Sequence, residues 1–213
     1  MVKTGNFIPG LASSDLNSVP KVYDLLAGCD VRADIFPLRS GPLVMYKQQS
    51  LVHIEFSRGY APKIQALEQY VGNPLAKLFI DACSGVGTLG LTAACLGLPH
   101  VIMNDAWYAS AFWSAFNLEV NREYFKVSKV RIFEQMEDMV KPPVTKNPIK
   151  IAETEGEQII EIYQGDFRQL HVVIPPGSSP VTAIDIFDKK DARGIQNIKK
   201  EWGEHVGGDI FVP

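Results

Sequence analysis

Apolar residues along this chain fall into short blocks separated by glycine, proline and polar turns, and the period inside each block says which element it forms. From Lys77 onward the blocks alternate: an apolar run at Lys77–Ile80, a glycine turn, a helical stretch over Gly87–Leu96, a second apolar run at His100–Met103, and a helix over Ala106–Asn121. Such alternation predicts parallel strands flanked by helices. Further strands are expected at Val127–Phe133, Gln158–Tyr163, Val181–Phe187 and Asp209–Val212, with a helix beginning near Ala192. Upstream, Ile64, Leu67, Tyr70 and Val71 recur at helical spacing. Pro62–Val71 therefore reads as a helix with its proline in the first turn, ended by Gly72-Asn73-Pro74. Two β-prone runs, Leu43–Tyr46 and Leu51–Phe56, flank Lys47–Ser50 and read as a hairpin. The residues before Gly41 are rich in Ser, Asn, Gly and Pro and read as an extension with one short helix at Val22–Ala27. Lys141–Glu157 is polar and contains prolines, and reads as an exposed loop. The fold class that follows is α/β, a doubly wound, mostly parallel sheet with flanking helices and an N-terminal β-hairpin extension. The expected division is an extension over 1–60 and one ligand-binding domain over 61–213.

Composition narrows the function classes more than the fold. With 213 residues, 46% hydrophobic and 21% charged, the chain has enough apolar surface for one full core. No run approaches the length of a membrane span and the N-terminus lacks a signal peptide's pattern, so no membrane partner is expected and the chain reads as cytoplasmic. The three cysteines, Cys29, Cys83 and Cys95, form no CxxC pair, and His53, His100, His171 and His205 show neither metal-ligand spacing nor an obvious carboxylate partner. No metal site is expected. A net charge of −3 advertises no phosphate-binding face. The densest basic cluster, Lys189, Lys190, Arg193, Lys199 and Lys200, is mixed with Asp188, Asp191 and Glu201 and reads as a solvated helix face.

The candidate chemistry sits at Asp81-Ala82-Cys83-Ser84-Gly85-Val86-Gly87-Thr88-Leu89-Gly90. Gly85, Gly87 and Gly90 spell GxGxxG between a strand and a helix, where glycine permits a tight turn against a nucleotide-like ligand. Asp105 closes the next strand, placed to accept hydrogen bonds from ribose hydroxyls, and otherwise to cap the helix behind it. NAD and S-adenosylmethionine (SAM) both use this Rossmann-like geometry. Asp81, at the end of the first strand, would repel a pyrophosphate and suits the ammonium and sulfonium of SAM. Cys83 and Thr88 flank the turn and complete the cofactor-binding set. Cys83 has no neighbouring base and reads as small and packed. Trp107, just beyond Asp105, is a candidate adenine wall, whereas Phe112, Trp113 and Phe116 read as packing positions on their helix.

This segment resembles motif I of class I SAM-dependent methyltransferases, and the nearest likeness is to RNA guanine methyltransferases of the archaeal tRNA N1-guanine and wybutosine-pathway type. Phe56-Ser57-Arg58-Gly59-Tyr60-Ala61-Pro62 resembles the segment preceding their core, and Asn117 with Asn121 resembles their paired asparagines. The resemblance implies SAM as cofactor and an RNA or small-molecule methyl acceptor. It also implies that Asp166, in Gly165-Asp166-Phe167, lies near the adenine amino group with Phe167 against the ring.

The fourth strand departs from the family pattern. Methyltransferases acting on base nitrogens end it with Asn or Asp followed by prolines and an aromatic residue, whereas here, in Ala183-Ile184-Asp185-Ile186-Phe187-Asp188-Lys189-Lys190, Asp188 is followed by neither. Asp188 is the candidate catalytic acceptor or general base, or else a helix cap. Two strands usual in the family are missing after the fifth, to be replaced by the hairpin or supplied by another subunit or chain segment, which leaves room for a homodimer. An NAD-dependent oxidoreductase and a catalytically inactive scaffold stand as alternatives.

Overall fold

The computed structural model describes residues 31–38, 41–48, 60–132, 148–185 and 192–211. Two strands, β1 (Val31–Leu38) and β2 (Gly41–Gln48), form an antiparallel hairpin in which Leu38 faces Gly41. The chain continues through α1 (Tyr60–Glu68), β3 (Leu78–Asp81), α2 (Thr88–Cys95), β4 (His100–Asp105), α3 (Tyr108–Val120), β5 (Val127–Ile132), β6 (Lys150–Thr154) and β7 (Ile159–Gln164). A 3₁₀ helix at Phe167–Val173, β8 (Val181–Ala183), α4 (Ala192–His205) and β9 (Asp209–Phe211) complete it.

The main sheet has seven strands in the order β5-β6-β7-β4-β3-β8-β9. Strands β7, β4, β3, β8 and β9 are mutually parallel, and β6 alone runs against its neighbours. The doubly wound architecture expected from the alternation is therefore present. The central strands carry near-continuous apolar runs because they are covered on both faces. Alternation then sorts their side chains. Phe79, Val101, Met103, Ile160 and Ile162 pack with α2 and α3 on one face, while Leu78, Ile80, Ile102 and Tyr163 pack with Leu170 and Trp202 on the other. Helix α2 is buried from Thr88 through Ala94 and is apolar nearly all round for that reason.

Three expectations need correction. The partner of the Leu43–Tyr46 run is the upstream strand β1, so the hairpin lies over 31–48; Leu51–Phe56 is outside the described residues, as is the helix expected at Val22–Ala27. The hairpin also stays out of the main sheet, which instead reaches seven strands through β5 and β6 at the opposite edge from β9. Lys150–Thr154, read as part of a loop, is a strand: Ile149, Ile151 and Ala152 are buried between β5 and β7.

The hairpin is fastened to the domain by two side chains of α3. Asn117 accepts from the Tyr46 N–H (2.7 Å) and donates to the Tyr46 carbonyl (2.9 Å); Asn121 accepts from the Val44 N–H (3.0 Å) and donates to the Val44 carbonyl (2.7 Å). The fit is geometric. Residues four apart on a helix and two apart on a strand edge repeat at nearly the same distance, about 6–7 Å. Each amide thus stands in for a residue of a neighbouring strand. Asn117 also donates to the Val86 carbonyl at 2.9 Å, linking the hairpin to the glycine turn.

Candidate functional site

The chain runs β3, β4 and on to β7 on one side, then returns to place β8 on the other side of β3. Ligands of open α/β sheets bind outside the carboxyl ends of the strands at such a reversal. Four aspartates mark this edge, one for each of four adjacent parallel strands: Asp81 ends β3, Asp105 ends β4, Asp166 lies two residues past β7, and Asp185 two past β8.

The glycine turn joins β3 to α2. Gly85 has φ +56° and Gly87 φ +88°, left-handed values that cost other L-residues about 1–2 kcal/mol each. Gly90 serves packing instead, since a Cβ there would come within 2.3 Å of Met103 Cγ on β4. All three glycine N–H groups are committed within the chain. Gly85 donates to Asp105 Oδ2 (2.9 Å), Gly87 to the Ser84 carbonyl (2.8 Å) and Gly90 to Asp81 Oδ2 (2.9 Å). Ser114 from α3 donates to the Gly85 carbonyl at 3.0 Å, and Asn104 on β4 bridges the Ala82 and Gly165 carbonyls at 3.1 and 3.0 Å. Asn104 is absent from the sequence expectations; an amide breaking the end of an apolar strand is the signal that marks it, and it is fully buried.

Asp81 lies beneath the turn, 1% exposed, and its Oδ1 has no hydrogen-bond partner; among the described residues Asn104 Oδ1 is the other such buried side-chain atom. A buried acceptor without a donor is costly and calls for one. Burial first, then the Asp185 and Asp105 charges, push the Asp81 carboxyl up to about 7, with the Gly90 N–H and Lys63 acting the other way. Asp105 is pushed up to about 6 by burial, against bonds from the N–H groups of Trp107 and Gly85. The Trp107 N–H meets its Oδ1 at 2.9 Å just before α3 begins, so Asp105 ties the β4–α3 turn without capping the helix itself.

Both carboxyls hold a proton in the folded chain where the unfolded chain has released it, so the fold binds more protons and stability falls as pH rises from about 4 towards 7. Urea unfolding of the free protein should show this decline. Asp81→Asn should flatten it by on the order of 4 kcal/mol. A stability that climbs through that window would contradict the placement of these groups.

The remaining site residues fall around these two. Cys83 is half-buried, and burial with the charges of Asp105, Asp81, Asp185 and Asp166 pushes its thiol well up, which makes it a packed thiol and no nucleophile. Thr88 is buried as the first residue of α2. Trp107 stands 39% exposed at the edge, while Trp113 is buried and Phe116 packs edge-on against Tyr46. Asp166 caps the 3₁₀ helix and is held by the Arg168 guanidinium; Phe167 packs on Trp202 of α4, ring centroids 6.0 Å apart. Asp188 lies outside the described residues. The strand that the sequence extended to Phe187 ends at Ala183, so the carboxylate at the edge of β8 is Asp185, ion-paired with Lys63 from α1. The apolar Ile186 and Phe187 concealed that boundary. His100, read as unpartnered, meets Glu161 on the neighbouring strand at 3.0 Å. Asn117 and Asn121 are buried. Among the described residues no cluster of His, Cys, Asp or Glu could hold a metal ion, and no helix is long and apolar enough to cross a membrane.

No family model matches the sequence, and no curated protein matches it. Among solved structures, Trm1 from Pyrococcus horikoshii, in complex with S-adenosyl-L-methionine, matches with a TM-score of 0.50 at 16% identity, over 72% of this chain and 36% of that one. The chain thus spans about a third of that structure's length. At this identity the likeness establishes a shared Rossmann-like fold.

Proposed function

We propose that this chain is a SAM-dependent methyltransferase domain whose acceptor is an RNA or a small molecule. The observation that carries the reading is the crevice itself: a glycine turn whose three glycine N–H groups are spent on internal acceptors, ringed by four aspartates at the strand ends. A phosphate-bearing ligand needs free N–H groups at the turn and would face Asp81 and Asp105. This speaks against the NAD alternative. A ligand carrying an ammonium, a sulfonium and ribose hydroxyls has the complementary chemistry, and the fold is shared with a structure that holds such a ligand.

In this reading Asp81 offers its charge and its unpaired Oδ1 to the methionine end, and Gly85 and Gly87 let that end approach. Asp105 accepts from the ribose hydroxyls, in exchange for part of its contacts with the Ser110 hydroxyl and the N–H groups of Gly85, Trp107 and Ala106. Cys83 and Thr88 line the turn, Trp107 walls the adenine, and Asp166 and Phe167 set its far edge. Bound there, SAM supplies an electrophilic methyl group. The protein contributes mostly proximity and orientation. Asp188, or Asp185 at the edge of β8, would take up the acceptor's proton.

Incubation with methyl-labelled SAM, separately with total RNA and with a small-metabolite extract, tests the assignment and chooses the acceptor class. Label in one fraction supports the reading. SAM binding with silence in both would favour the inactive scaffold.

A further inference from the structure

Helix α1 precedes the sheet in sequence, yet one of its side chains reaches the crevice. Lys63 is 7% exposed and its ammonium donates to Asp185 Oδ2 across 122 residues of sequence. Asp185 follows β8, whose Ala183 is in register with Asp81 on β3. The groups facing Asp81 come from every element around it: the Gly90 N–H from α2, Asp105 from β4, Asp185 from the segment after β8 and Lys63 from α1. The other described cation bonded to one of the four aspartates is Arg168, 54% exposed and occupied by Asp166. Burying an ammonium costs several kcal/mol, and packing alone would be met by an apolar side chain of the same length.

We propose that Lys63 is a positioning residue for this site: from α1 it fixes the Asp185 carboxylate at the crevice between β3 and β8 and offsets the charge that Asp81, Asp105 and Asp185 would otherwise crowd there. The proposal deepens the methyltransferase reading and rests on it for its consequence in donor binding. The pair joins the segment that enters the domain to the end of the strand where the acceptor must arrive. Losing it would take a positive charge away from both Asp185 and Asp81.

The test follows the Asp81 carboxyl carbon by ¹³C NMR through a pH titration of the whole chain, free of ligand. Lys63→Met should move the Asp81 midpoint up by about one pH unit, and Asp185→Asn should move it down by a similar amount. Lys63→Arg should stay near the parent, and Lys63→Met with Asp185→Asn should return towards it. A merely structural contact would not move the midpoint in opposite directions. Midpoints unchanged in folded variants, or displaced the same way in both, would overturn the proposal. Should Lys63→Met alone fail to fold, Asp185→Asn and the double variant decide, because together they remove the pair without stranding a charge. Calorimetry with SAM on the same proteins separates the two levels. At pH 7, Lys63→Met should bind SAM about tenfold more weakly. Opposite midpoint shifts in a parent that binds no SAM would sink the donor reading and leave Lys63's role standing; normal SAM binding with unmoved midpoints would do the reverse.

Discussion

Asn117→Leu should destabilise the protein by about 4 kcal/mol, because it strands three backbone groups at roughly 1–3 kcal/mol each. The Tyr46 N–H loses its acceptor, and the Tyr46 and Val86 carbonyls lose their donor. Asn117 is fully buried, so water cannot step in without opening the contact between hairpin and domain. A loss of that size is a large part of the 5–15 kcal/mol that holds a typical domain folded. Asn117→Asp makes the useful control: it keeps the acceptor for the Tyr46 N–H but turns a charge towards two carbonyls, and it should be no better tolerated. Urea unfolding measures the loss, and near-ultraviolet circular dichroism of the Tyr46–Phe116 pair reports whether the hairpin has detached. A change below about 1 kcal/mol would mean the clamp contributes little.

Asp105→Ala should weaken SAM binding at least about 100-fold, since it removes charge-assisted hydrogen bonds worth roughly 1.5–3 kcal/mol each. Two effects combine there. The ribose loses its acceptor, and the glycine turn loses the Oδ2 that holds the Gly85 N–H, along with the Oδ1 that holds Trp107. Asp105→Asn keeps shape and one acceptor, and should fall between, near tenfold. Unfolding measured on the same variants separates a loosened turn from a lost ligand contact. Unaltered SAM affinity in the alanine variant would remove Asp105 from the pocket.

The stretch from β3 to α3 was legible because its determinants are local. Apolar runs without polar interruption mark doubly covered strands, and glycine marks a turn whose left-handed backbone other residues enter at a cost. The misread parts depend on contacts distant in sequence. The Leu43–Tyr46 run fits either flank as a hairpin partner, and the true one carries Arg32, Asp34 and Pro37, which disguise a strand. Strand β6 hides because Lys150 and Glu153 break its apolar pattern, although Lys150 is buried with its ammonium on the Ala115 carbonyl and on Glu119. At the site, Asp81 and Asp105 could be named from their place after strands. Asp185 and Lys63 could not, because one needed the true end of β8 and the other a partner 122 residues away. The asparagines carried a family likeness without a mechanism. Their bonds to the edge of β2 provide one.

The central claim is that the crevice accepts a cationic nucleoside and refuses a pyrophosphate. Isothermal titration of the whole chain with SAM and, in parallel, with NAD tests it most directly. SAM should bind, on the order of micromolar, about −8 kcal/mol, with its affinity lost in Asp105→Ala, and NAD should give no heat of binding. Saturable NAD binding with no response to SAM would contradict the account.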